Sequence, residues 1–265
     1  YRSGDIEEVK ALIEAEGRRV EFIQGDLTDM EHIHAIVDGC MAAYGKIDIL
    51  WCDFSYSGNN GTGDRAWMKG KGKDDWESEK LIALARELQP GIIIDNRPGI
   101  EQDLWTPEQF QPKEWVRDKE GNLVVWEACQ TFSGSWGYYR DEQTWKNPEM
   151  LIRMLVNTVS LGGNLLMNVG PTSRGYLDQR AEDALKVYAD WMKYNSRSIY
   201  GCTMAEPDIL PACPQDCRFT QTEDGKVHAN FLHLGPVDGA LVSGHINAHG
   251  HRCRFLGYPF ILLTA

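Results

Sequence analysis

The 265 residues carry a formal net charge of −12, with 42% hydrophobic and 25% charged side chains, which is chain enough for one large domain or two small ones. That acidic balance offers no basic field to draw in phosphates, so neither nucleic acid nor an anionic membrane surface is an expected partner. No apolar run reaches the roughly 18 residues of a membrane span, and no charged-then-apolar leader opens the sequence. It starts at Tyr1 rather than Met, so an incomplete N-terminus is expected.

In chain order, Ile6, Val9, Leu12 and Ile13 recur at helical spacing, and Gly17 is a stop signal. Arg19 to Gly25 alternates as a strand, and Asp29 stands where it could cap a helix carrying Ile33, Ile36, Val37 and Met41. Lys46 to Leu50 then begins another strand, which predicts a parallel βαβ unit. Farther on, strands are predicted at 47–53, 91–96, 123–130 and 164–169, helices at 75–89, 148–160 and 178–194, and a long loop through Gln111. Such alternation indicates a parallel α/β architecture, with a (β/α) barrel as the leading candidate. Only about five parallel strands can be counted against the eight that close such a barrel, so a partial TIM-like barrel lacking its first strands is expected. Arg218 to Lys226 reads as a hairpin turning at Asp224-Gly225, while Val227 to Ala265 is rich in His and Gly and predicts an irregular or truncated β region. Three segments result: 1–50, 51–204 and 205–265.

Polar residues close the predicted strands: Asp53, the run Asp95-Asn96-Arg97, Glu127 and Asn168. In (β/α) barrels side chains at those ends project into the mouth where chemistry happens. All nine tryptophans lie between Trp51 and Trp191. Trp51, Phe54 and Trp126 stand beside the strand-end carboxylates, as a sugar site requires, because aromatic faces cover the C–H face of a pyranose while carboxylates and amides take its hydroxyls. Glycoside hydrolysis needs two carboxyl groups flanking the bond, one ionised to attack and one holding a proton. The seven cysteines, including Cys213 and Cys217, lack zinc spacing, and the five histidines from 228 to 251 lack a ligand frame. No metal and no organic cofactor is expected.

Two resemblances follow from particular strings. GRRVEFIQGDLTD and AAYGKIDIL, within residues 1–50, resemble the third-to-fourth-strand stretch of short-chain dehydrogenases, which would set Asp26 beside an adenine. The family's Asn-Asn-Ala-Gly does not follow, no Tyr-x-x-x-Lys pair appears, and Gly58 to Gly63 lacks the G-x-G-x-x-G spacing. DILWCDFSYSG, KGKGKDDWESEKLIALARELQPGIIIDNRPG, TPEQFQP, WEACQTFSGSWGYYRDE and GGNLLMNVGPTSRGYLDQRAEDALKVYADWMKYNSRSIYG together resemble α-L-fucosidases of glycoside hydrolase family 29, over residues 48 to about 220.

That second resemblance implies a retaining glycosidase releasing α-L-fucose from a fucosylated oligosaccharide or glycoconjugate. It implies Asp53 as nucleophile, Glu108 of Thr106-Pro-Glu-Gln-Phe-Gln-Pro112 as acid/base, and Glu127 as the competing acid/base or a scaffold. Trp51, Trp126, Trp136, Tyr138 and Asn168 become candidate pocket contacts. Family members are often secreted, periplasmic or lysosomal. A join of two genes near residues 48–50 is expected, because that string suits both families, and the missing barrel half is expected to impair activity. The alternatives are an inactive carbohydrate-binding or non-functional chimera, and an NAD(P)-dependent short-chain oxidoreductase.

Overall fold

The computed structural model describes residues 3–26, 28–53, 72–206, 217–231, 243–246 and 254–255. Phe54, the glycines at 58–63, Cys213 and the histidines at 233, 249 and 251 lie outside the described residues. The chain divides into two compact units, Tyr1–Ile100 and Glu101–Ala265.

In the first unit, α1 spans Ser3–Ala15, and Gly17 turns the chain at φ +71°. Helix α2 spans Met30–Tyr44; Asp29 caps it by accepting from the Glu31 N–H, and Gly45 ends it in the left-handed region. Strand β1, Ile49–Leu50, is followed by α3, Ser78–Leu88, and β2, Ile93–Ile94. The two strands pair in parallel, Ile49 with Ile93 and Leu50 with Ile94. Residues 19–25, expected as the first strand of a βαβ unit, form none. A strand needs a partner ladder for its backbone groups, and among the described residues none pairs with this segment. Asp26 ends it as a side-chain turn, its Oδ1 accepting from the Thr28 N–H at 2.9 Å and the Thr28 hydroxyl at 2.7 Å.

The second unit begins with β3, Leu104–Trp105, in the stretch expected to be a long loop. Strand β4, Val125–Thr131, helix α4, Pro148–Ser160, strand β5, Gly163–Asn168, and helix α5, Gln179–Asn195, come next. Pro148 opens α4, and the Asn147 side chain accepts from the Met150 N–H. The three strands form a parallel sheet in the order β3-β4-β5. Trp126 and Ala128 on one face of β4 are fully buried, whereas Asn164 and Leu166 on β5 are exposed. Ile152, Val156, Val159, Trp191 and Ile199 form one core, and Phe132, Leu151 and Ala184 another, with Met167 of β5 and Val169 just past it against the latter.

A 3-10 turn at Ser196–Ser198 leads to β6, Cys202–Met204, β7, Cys217–Thr222, and β8, Val227–Phe231. Strands β9, Ser243–Ile246, and β10, Arg254–Phe255, complete a five-stranded antiparallel sheet ordered β10-β9-β8-β7-β6. The hairpin turning at Asp224-Gly225 forms as expected. Within the stretch expected to be an irregular or truncated β region, Val227–Phe231, Ser243–Ile246 and Arg254–Phe255 pair into this sheet, because strand pairing is carried by backbone groups and tolerates weak side-chain alternation. Among the described residues, five strands engage in parallel ladders and no helix is long and apolar enough to cross a membrane.

Candidate active site

Beyond Leu50 and Ile94 the ladder of β1 and β2 gives way to side chains. The Asp53 carboxylate meets the Arg97 guanidinium at 2.5 Å, across the same 44-residue offset that pairs Ile49 with Ile93. Arg97 also lies over the Trp51 ring, 5.6 Å from its centroid, within cation–π range. Beneath them Asp95 is fully buried, and its Oδ1 accepts from the backbone N–H of Cys52 at 3.2 Å and of Arg97 at 3.4 Å. Burial pushes the Asp95 carboxyl above the usual range, against the opposing pull of those two N–H groups and the Arg97 charge. Burial likewise raises the Cys52 thiol.

The second unit carries the other expected acids. Leu104 pairs with Val125 and Trp105 with Trp126, and an isolated parallel bridge between Glu108 and Cys129 keeps that register beyond the end of β3. In this register Glu127 lies two positions below the level of Glu108, and both fall on one face of the sheet. Glu108 is exposed, whereas Glu127 is half-buried and its acid form is favoured by burial. Trp126, expected in the pocket, is 0% exposed. Its ring occupies the space beside Gly163, and its Nε1–H donates to the Leu161 carbonyl at 3.2 Å, so it packs against the turn that joins α4 to β5.

The ends of β4 and β5 hold a loop across the sheet. The Asn168 amide donates to the Trp136 carbonyl at 2.6 Å, and Tyr138, Asn168, Ser135 and Glu142 line a small cavity there. Trp136 is 41% exposed and Tyr138 38%. Glu142, which the sequence did not single out, ties this loop together. Its carboxylate accepts from the Thr144 N–H at 2.8 Å, the Thr144 hydroxyl at 2.6 Å and the Ser135 hydroxyl at 2.7 Å, which holds its pKa down at about 2. From α5, Arg180 donates to the Glu142 carbonyl at 3.2 Å and the Arg140 carbonyl at 3.1 Å. Among the described residues no group of three potential metal ligands converges.

Comparison with known proteins gives this arrangement a context. The Alpha-L-fucosidase family matches residues 24–197. The chain is 37% identical over 219 residues to the alpha-L-fucosidase of Dictyostelium discoideum, covering 74% of this chain and 40% of that protein. It is 36% identical over 204 residues to the plasma alpha-L-fucosidase of Rattus norvegicus, covering 74% and 41%. Among solved structures, alpha-L-fucosidase isoenzyme 1 from Paenibacillus thiaminolyticus superposes with a TM-score of 0.63 at 30% identity, over 88% of this chain and 59% of that one. The chain thus spans about two fifths of the length of these two curated relatives. The family match begins at residue 24, inside the segment read as dehydrogenase-like, and runs through 48–50. A join of two genes at that point is therefore unsupported: α2 and β1 lie within the matched stretch.

Proposed function

Because the chain belongs to the α-L-fucosidase family, we propose that the protein releases α-L-fucose from fucosylated oligosaccharides or glycoconjugates by double displacement, on a partial TIM-like barrel. The observation that carries this reading is the Asp53–Arg97 pair at the ends of two parallel strands within the family-matched stretch. An Asp53 oxygen attacks the anomeric carbon as the glycosidic bond breaks, giving a glycosyl ester. Glu108 gives its proton to the departing oxygen, then takes one from water as that water attacks the same carbon and frees Asp53, so configuration is retained.

Glu108 is the proposed acid/base because it stands exposed past the end of β3, at the level where barrel chemistry takes place. Glu127, lower on the same face and half-buried, is its scaffold. Trp51 backs the arginine, while Trp136, Tyr138 and Asn168 supply aromatic and amide surface at the strand ends. Trp126 is left out of the pocket because it is wholly buried. No step calls for hydride transfer, and Asp26 serves as a turn.

The test is release of nitrophenol from nitrophenyl α-L-fucoside. Wild type is expected to turn over with retention seen by NMR, and Asp53→Ala to fall to background while folded. Glu108→Gln is expected to lose about 10²–10⁴-fold, with azide restoring turnover of an activated fucoside in Glu108→Ala. Azide rescue confined to Glu127→Ala would exchange the two glutamates. A folded wild type that binds fucose without releasing nitrophenol would replace hydrolysis by carbohydrate binding.

A further inference from the structure

We propose that Asp95 is a positioning residue for the Asp53–Arg97 pair, clamping the backbone ends of the two strands that present it. The inference rests on the reading of Asp53 as nucleophile and adds a residue to that site.

The geometry is that of a ladder continued by a side chain. Strands β1 and β2 pair at Ile49–Ile93 and Leu50–Ile94, and regular pairing ends there. The next strand-end N–H, that of Cys52, is taken up by Asp95 Oδ1 at 3.2 Å. The same oxygen accepts from the N–H of Arg97 at 3.4 Å. One buried oxygen thus holds the residue before Asp53 and the arginine that meets Asp53, and the two side chains emerge in register at 2.5 Å. A short two-residue ladder fixes little by itself, since each strand contributes so few backbone bonds.

The other Asp95 oxygen, Oδ2, is buried and finds no hydrogen-bond partner among the described residues. A charged carboxylate left half-satisfied in such a place is costly, whereas a neutral acid or an amide offers the same accepting oxygen at less cost. Burial, the first cause acting on Asp95, favours its protonated form. The residue therefore acts through hydrogen bonding at Oδ1 and needs no charge. The groups facing it are the Arg97 guanidinium, the Asp53 carboxylate and the Cys52 thiol.

The experiment compares Asp95→Asn and Asp95→Ala in the intact chain by two readouts. The first is the guanidinium resonances of Arg97 in ¹⁵N-arginine-labelled protein, assigned by Arg97→Lys, with Asp53→Asn marking the unpaired position. The second is kcat and KM for nitrophenyl α-L-fucoside. Asp95→Asn is expected to keep the wild-type Arg97 signals and a kcat within about threefold. Asp95→Ala is expected to move those signals toward the Asp53→Asn position. It should also lower kcat by about 10- to 100-fold with KM within about twofold, the scale of a misplaced reacting group. If both variants leave the Arg97 signals unchanged, or if Asp95→Asn fails as badly as Asp95→Ala, the positioning role is overturned. Expected shifts in the Arg97 signals alongside a silent wild type would instead sink the hydrolytic reading and leave the clamp standing.

Discussion

Two acids in this protein are shifted in opposite directions from the usual carboxylate range, Glu142 by its hydrogen-bond partners and Asp95 by burial. Glu142 accepts three hydrogen bonds, from Thr144 N–H, Thr144 hydroxyl and Ser135 hydroxyl, and its pKa falls to about 2. Asp95 is buried with one oxygen unsatisfied, and its pKa rises. Their effects on stability therefore run in opposite directions with pH. Glu142 is depressed in the native state, so its contribution is complete above its unfolded pKa and is lost as pH falls toward about 2. Thermal melts of wild type and Glu142→Gln are expected to differ most at neutral pH and to converge as pH drops below the ordinary glutamate range. A gap that is constant with pH would show that the carboxylate charge is irrelevant to the loop. Asp95 is raised, so its contribution is complete below its unfolded pKa and declines as pH climbs through its folded value. Asp95→Asn cannot ionise. Its melting temperature should gain on wild type between acid and neutral pH, with Arg97, Asp53 and Cys52 unchanged around it, and a parallel pair of curves would contradict the assignment.

Local capping and packing explain which elements could be read in advance. Helix α4 was predicted at its observed bounds because Pro148 at its first turn and Gly162-Gly163 after its last are chemical signals independent of tertiary context. The same holds for Asp29 ahead of α2 and the Asp224-Gly225 turn between β7 and β8. Strands leave weaker local signals. Residues 19–25 alternate but pair with no described strand, while Leu104–Trp105, too short to show a pattern, is a strand because β4 lies beside it. Pairing is decided by a distant segment, and no local string records it. Trp126 fails as a pocket residue for a related reason: alternation tells which residues share a face, not which face meets helices. Gly163 records the outcome, since a Cβ there would enter the Trp126 ring. Gly163→Ala is expected to cost about 1–3 kcal/mol in urea unfolding. Combined with Trp126→Leu, the two penalties should fall short of their sum, because the smaller side chain vacates the contested space. Strict additivity would mean that the ring and Gly163 are not in contact. Asn147→Ala should cost about 1 kcal/mol through the lost cap on α4.

Across the described residues, burial is distributed unevenly between elements, and that has a measurable consequence. Helix α4 buries Leu151, Ile152, Val156, Thr158, Val159 and Ser160, and α5 buries Ala181, Ala184, Trp191 and Asn195. Helix α2 buries none of its described side chains, and α3 buries only Ser78. Among the described residues of the first unit the buried apolar ones are Ile92, Ile94 and Pro98, while Ile49 and Ile93, which pair across β1 and β2, are 50% and 41% exposed. Local opening free energy follows buried apolar contact, because an element with none loses little on leaving its neighbours. The proposed nucleophile and its arginine thus stand on the thinly buried unit, and the loop bearing Trp136 and Tyr138 stands on the densely buried one. Asp53 was marked by its place at a strand end and Glu108 only by the family resemblance, while Glu127, expected to close a strand, is the third residue of β4; the imbalance in burial had no such signal, since the helical stripe of Ile33, Ile36, Val37 and Met41 promised a buried face that α2 does not have. In native-state hydrogen exchange of this chain, the central amides of α2 are expected to exchange at least about tenfold faster than those of α4, a difference of roughly 1.4 kcal/mol in opening free energy or more. Equal protection of the two helices would mean that α2 is buried in solution by a contact that its described side chains do not show.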